Sequence, residues 1–187
     1  DKSYRHGWKL AAGLDLAAGY KTTTDFWLQQ AYFDVSWRML SLSLGSKERV
    51  NSPLDKNTAL TSGWMTEGIN TRPIPQVRVE IRDFYSLPFT NHWLALKGHL
   101  AYGAFTDGDW QKDFAAPGQL YVRDVKYHSK ALMFRVGKKE TFPLEFELGL
   151  HMATQFAGDQ MRKLDDGSGE LVMDMPDGFS NYINALL

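Results

Sequence analysis

Apolar and polar residues alternate along most of this chain. From Trp8 to Tyr20 the even positions are Trp8, Leu10, Ala12, Leu14, Leu16, Ala18 and Tyr20, and the odd ones are Lys9, Ala11, Gly13, Asp15, Ala17 and Gly19. The period of two recurs in "QAYFDVSWR", "QVRVEIR", "WLALKGHLAYG" and "LEFELGLHMATQF", and in shorter form in "LSLSLG" and "ALMFRVG". An extended strand puts alternate side chains on opposite faces, so each segment predicts a strand with one greasy face and one charged or small face. Seven strands are expected, near 8–20, 26–38, 40–46, 74–84, 93–105, 120–137 and 144–156, and no segment carries a helical period.

Their length narrows the fold class. Strands of soluble domains usually run to about 5 or 6 residues, whereas a tilted membrane-spanning strand needs roughly 9 to 11. Most of these segments reach the longer value, and the greasy face carries Trp8, Tyr20, Trp37, Tyr102 and Phe156 near strand ends, where interfacial aromatic girdles lie. Connections alternate between short links (after 38, "YSLPFTNH", "KKETFP") and long ones, 47–73, 106–119 and 158–187; only "KTTTD" at 21–25 breaks the rule. The expectation is an all-β, antiparallel, up-and-down outer-membrane β-barrel in a Gram-negative bacterium, with the long outer loops at the cell surface. An odd number of strands leaves an open edge, so the chain is expected to be an internal, single-domain piece of a larger barrel. A soluble β-sandwich or jelly roll with one wet face is the alternative.

Composition removes several function classes. Among 187 residues, 21 Lys and Arg face 22 Asp and Glu, so no net charge draws nucleic acid, and no nucleic-acid partner is expected. There is no cysteine, which excludes disulfides, thiolate metal sites and a Cys nucleophile. No apolar stretch approaches the roughly 18 residues of a membrane-spanning helix. The first residue is Asp1, with no signal-peptide regions before it, so a leader is expected to be cleaved upstream or to lie outside this piece.

The candidate chemistry is sparse. In "TDGDWQKDF", counting from Asp107 as position one places Asp109 at three and Asp113 at seven, but Lys112 at six and Gly118 at twelve are not the Gly and Glu of an EF-hand. An ordinary acidic turn is the better description there and in "DDGSGE" at 165–170, and neither a metal site nor a cofactor is expected. Glu145 and Glu147, two apart on one strand face, place their Cα atoms about 6.7 Å apart. That is compatible with an inverting glycosidase pair, but every strand offers this spacing, and Arg78, Arg82, Lys97, His99 and Arg135 share the charged face as ion-pair partners. His99, His128 and His151 fall on different strands. Pro73 and Pro75 hold the chain extended at the mouth of a strand, and Arg72, Arg78 and Arg82 there either bind an acidic sugar substituent or neutralise Glu80, Asp34 and Asp15.

The segments "FWLQQAYFDVSWRMLSLSLGSKER", "SGWMT", "RPIPQVRVEI", "GHLAYGAFTDGDWQKDF" and "YHSKALMFRVG" resemble, in order, the capsule-assembly Wzi family of outer-membrane proteins. The resemblance spans most of residues 8–157, and Trp64 in "SGWMT" departs from the smaller residue expected there. It implies a monomeric barrel of about eighteen strands, surrounded by outer-membrane lipid, with a non-catalytic, lectin-like role in holding capsular or surface polysaccharide. On that reading Trp64, Trp110 and Phe114 stack on sugar rings, and Arg72, Asp107, Asp109 and Lys112 hydrogen-bond hydroxyls or acidic groups. Arg78, Glu80, Arg82, Lys97, His99, Glu145 and Glu147 would line the lumen. A channel or transporter with a charged lumen is the main rival, and a glycan hydrolase using Glu145 and Glu147 is a further one.

Overall fold

A computed structural model of the chain describes residues 7–21, 25–49, 72–138 and 140–187. The protein is all-β and mostly antiparallel. A seven-stranded sheet has the order β1-β2-β3-β4-β5-β7-β8, with β1 Trp8–Ala18, β2 Phe26–Trp37, β3 Leu40–Ser46, β4 Gln76–Ser86, β5 Leu94–Ala104, β7 Lys126–Val136 and β8 Phe146–Phe156. A second sheet of three strands runs β10-β9-β6, from β6 Leu120–Arg123, β9 Gly158–Lys163 and β10 Gly169–Met175. Two short helices, α1 Gly108–Phe114 and α2 Phe179–Leu186, and a single 3-10 turn at Pro88–Thr90 complete the described elements.

The chain, expected as a single domain, divides into two compact units: Asp1–Ala101 with Ser129–Met152, and Tyr102–His128 with Ala153–Leu187. In the first unit the strand register lines residues up by chemistry. Asp34, Ser43 and Arg78 stand opposite one another across β2, β3 and β4, and Ser36, Ser41 and Glu80 form the next row. On the other face Leu10, Val35, Leu42 and Val79 form a row across four strands, flanked by Trp8, Trp37, Leu40 and Ile81.

Burial is the reverse of a water-soluble sheet. Asp34, Ser43 and Arg78 are 2%, 0% and 3% exposed, while Leu10, Leu14 and Leu148 are 68%, 71% and 77% exposed. Buried charge is tolerated only when paired, and an exposed sheet of Leu, Val, Phe and Trp is far beyond the apolar patch of an ordinary soluble surface. At the end of this face Trp8 stacks on Trp37 with ring centroids 6.0 Å apart, and the Arg38 guanidinium lies 4.7 Å from the Trp37 centroid.

In the second unit β9 pairs with both β6 and β10, with Tyr121 opposite Met161 and Gly169 opposite Lys163. Tyr102, His128 and Phe156 cluster there, with Tyr102 and His128 ring centroids 4.3 Å apart. Helix α2 joins this cluster through Tyr182, whose backbone carbonyl accepts the Tyr102 hydroxyl at 2.8 Å.

Three expectations need correction. The strand expected over 120–137 is two strands, because Asp124 takes φ 58°, a left-handed conformation that Asp tolerates and that breaks the run. The loop expected over 158–187 contains β9, β10 and α2, with a tight turn at Asp165–Ser168 between the strands. The long loop 106–119 contains α1; both helices are only about two turns, too short to imprint a readable period.

Candidate functional site

The polar face of the first unit is a network of ion pairs. On β2, Asp34 accepts from Lys47 and, at 3.0 Å, from Arg82 Nη2. Glu80 accepts from Arg78 Nε at 2.8 Å and from Arg82 Nε at 2.6 Å. Alternation explains the grouping, since Arg78, Glu80, Arg82 and Phe84 are every second residue of β4. The Phe84 ring carries two cations, Arg135 at 3.8 Å and Lys97 at 4.6 Å from its centroid.

His99 Nε2 meets the Ser129 hydroxyl at 2.7 Å, and His151 Nε2 lies 3.5 Å from the same oxygen. The two imidazoles sit edge to face at 5.5 Å. A fully buried serine between two histidines is a hydrogen-bonded wall of the sheet; its hydroxyl is closed off from a substrate.

Glu145 and Glu147 occupy different settings. Glu147 is held by Arg135, whose Nε donates at 2.7 Å, whereas Glu145 precedes β8 and lines a cleft of about 410 Å³ with His92, Arg135 and Glu140. Glu145 lies one residue before the start of β8, and Arg135 lies beside both carboxylates.

The polar and aromatic residues of "DGDWQKDF" come together in the second unit on α1. Trp110 and Phe114, one turn apart, pack with their rings tilted at 34° and centroids 4.6 Å apart, and stay about half exposed. Asp107 accepts from Gln111 Nε2 at 2.8 Å. Asp109 and Lys112, on another side of the same turn, line an open cleft of about 490 Å³ whose other walls include Phe105, Tyr121, Arg123 and Asp124. Arg123 forks onto Asp159 Oδ2, with Nε at 3.1 Å and Nη2 at 2.9 Å, and this hydrogen-bonded partner pushes the guanidinium up from its ordinary value.

Comparison with protein-family models, with curated proteins and with solved structures finds no match.

The remaining expected residues lie elsewhere. Arg72, in the first unit, rests its guanidinium 6.0 Å from the Trp27 ring centroid. Trp64 lies outside the described residues. Among the described residues no three His, Asp or Glu side chains gather as a metal site, and no helix is long and apolar enough to cross a membrane. Sequence reasoning missed Tyr121, Arg123 and Asp159, which are placed together by the β6–β9 pairing, Arg123 standing opposite Asp159. Their signal was the Asp124 break, after which the alternation no longer continues one strand.

Proposed function

We propose that this chain is part of an outer-membrane β-barrel that binds surface polysaccharide without catalysis. The observation that carries the membrane reading is the pairing of a buried Asp34–Ser43–Arg78 row with an apolar Leu10–Val35–Leu42–Val79 row, in which Leu10, Leu42 and Val79 are exposed, on the two faces of the sheet. A lumen hydrates and pairs charge on one side while hydrocarbon covers the other. Strands of 11 and 12 residues support the same reading.

The binding reading is supported by α1 and the cleft beside it. Exposed Trp110 and Phe114 offer flat apolar faces for sugar rings, and Asp109, Lys112 and Asp124 offer acceptors and a donor for hydroxyls. It agrees with the likeness of five segments to the capsule-assembly Wzi family. In this reading the protein is a monomer in the outer membrane of a Gram-negative bacterium, and attachment is non-covalent.

The charged network of Arg78, Glu80, Arg82 and Asp34 favours a second reading, a solute channel whose lumen selects by charge. Two measurements on the purified protein in detergent test the readings: polysaccharide binding and conductance in planar bilayers. Retention of the host's capsular polysaccharide, weakened in Trp110→Ala, with little conductance is expected. No retention together with a steady ion current overturns the first reading in favour of the channel.

A further inference from the structure

The cleft of the second unit contains two cations, Lys112 and Arg123, and two carboxylates, Asp109 and Asp124. Arg123 is not available as a free cation, because Asp159 takes Nε and Nη2 together and Asp124 lies 3.5 Å from Nε. With Asp159 included, three carboxylates answer two cations. An acidic sugar substituent entering here meets carboxylates without a surplus of positive charge to offset its desolvation. A neutral sugar meets what it needs: ionised carboxylates accept hydroxyl protons, Lys112 donates, and Tyr121 and Phe105 supply apolar surface.

The cleft also depends on a close approach. A Cβ placed on Gly169 would stand 2.2 Å from the Tyr121 hydroxyl and 3.3 Å from Met161 Cε, both lining groups. Any side chain at 169 must therefore drive the Tyr121 ring from its position. Gly169 thus fixes the shape of the cleft through Tyr121.

We propose that the cleft between α1 and the three-stranded sheet is a subsite for an uncharged hexose unit and discriminates against uronic acids, with Asp109 and Asp124 as the discriminating residues and Gly169 as the residue that leaves room for Tyr121. The proposal rests on the polysaccharide-binding reading and names the sugar class of that same site.

The test uses the full chain in detergent micelles and titrates it calorimetrically with neutral hexaoses (glucan, mannan and galactan) and with hexagalacturonate, each at low and high salt. A neutral hexaose is expected to bind about tenfold more tightly than hexagalacturonate, with little dependence on salt. In Asp109→Asn/Asp124→Asn, hexagalacturonate binding is expected to rise about tenfold at low salt, and Gly169→Ala is expected to weaken the neutral sugar by a similar factor. Should Gly169→Ala fail to fold, Lys112→Met on the exposed helix face is expected to weaken the neutral sugar instead. Tighter, salt-sensitive binding of hexagalacturonate to the unaltered protein overturns the sugar class while leaving polysaccharide binding in place. An unchanged preference in the double variant overturns the role of the two carboxylates. Binding of neither sugar type overturns the subsite, and the reading beneath it falls only if the host's capsular polysaccharide is not retained either.

Discussion

Arg82 on β4 reaches Asp34 on β2, 3.0 Å from Nη2 to Oδ2, passing over the intervening strand β3. This ion pair therefore ties β2 to β4, and Lys47, just past the end of β3, joins them on the same carboxylate. Asp34 is the shared acceptor, so Asp34→Ala leaves both cations without it. Because Arg82 remains partly exposed, the expected cost is about 2 kcal/mol, less than for a fully buried pair. Urea unfolding of the refolded protein in detergent measures it, and Arg82→Ala is expected to lose less.

Val79 lies mid-strand on the exposed apolar face. If lipid covers this face, Val79→Arg costs about 2–4 kcal/mol in bilayer-refolded protein, the penalty of a cation at the hydrocarbon midplane. On a soluble sheet the same change at a half-exposed site stays within about 0.5 kcal/mol. Folding equilibria in vesicles distinguish these values, and the smaller one removes the membrane reading.

Trp110→Ala separates the exposed ring from the hydrogen-bonding groups of the cleft. An aromatic contact of this kind contributes about 0.5–1.5 kcal/mol beyond its area, so polysaccharide affinity is expected to fall about threefold to tenfold. Trp110→Phe restores most of it. Retention on immobilised polysaccharide reads both variants.

Gly45 sits near the end of β3 with φ 103°, and a Cβ there would stand 2.2 Å from the Ala31 carbonyl oxygen on β2. Gly45→Ala is therefore both strained and sterically blocked, and is expected to cost about 2 kcal/mol or more. The check is a lowered unfolding midpoint. Gly118, also at positive φ but with nothing within 4 Å of its Cβ position, is expected to lose less on the same change.

The β9–β10 turn carries a pH dependence of known sign. Ser168, by its hydroxyl and its backbone N–H, holds the Asp166 carboxyl below its ordinary value; the N–H donates to Oδ1 at 2.8 Å. A depressed folded-state pKa stabilises the turn above the unfolded value, and that contribution disappears as pH falls through the folded one. Ser168→Ala is expected to move the Asp166 titration towards the ordinary value, as followed by NMR of its carboxyl carbon.

The period of two made the large sheet readable, because each of its strands keeps one chemistry per face over seven residues or more. The ion-pair network was half readable: Arg78, Glu80 and Arg82 announce themselves by spacing, but the convergence of Lys47 and Arg82 on Asp34 depends on register across three strands. Helix α1 was not readable, since in seven residues the Trp110–Phe114 spacing does not exceed chance. Strands β9 and β10 were hidden for another reason. Six or seven residues of mixed polarity between turn formers look like a loop until a partner strand is known, and β6, the outer partner of β9, had been absorbed into a longer run.

The turn between β2 and β3 has a bearing on folding speed. Only Arg38 and Met39 separate Trp37 from its partner Leu40, and Arg38 adopts φ 52°, the left-handed geometry that two-residue hairpins favour. Closing so small a loop costs little chain entropy, and isolated hairpins form in about 1–10 μs. The β2–β3 hairpin is therefore the natural first structure, with seven registered pairs ready to receive β1 on one side and β4 on the other. Strand β4, by contrast, must arrive from thirty residues further along, across a far longer closure. Substitutions at Arg38 should accordingly change the rate of folding, while those at Arg82, which can act only after β4 has docked, should change mainly the rate of unfolding.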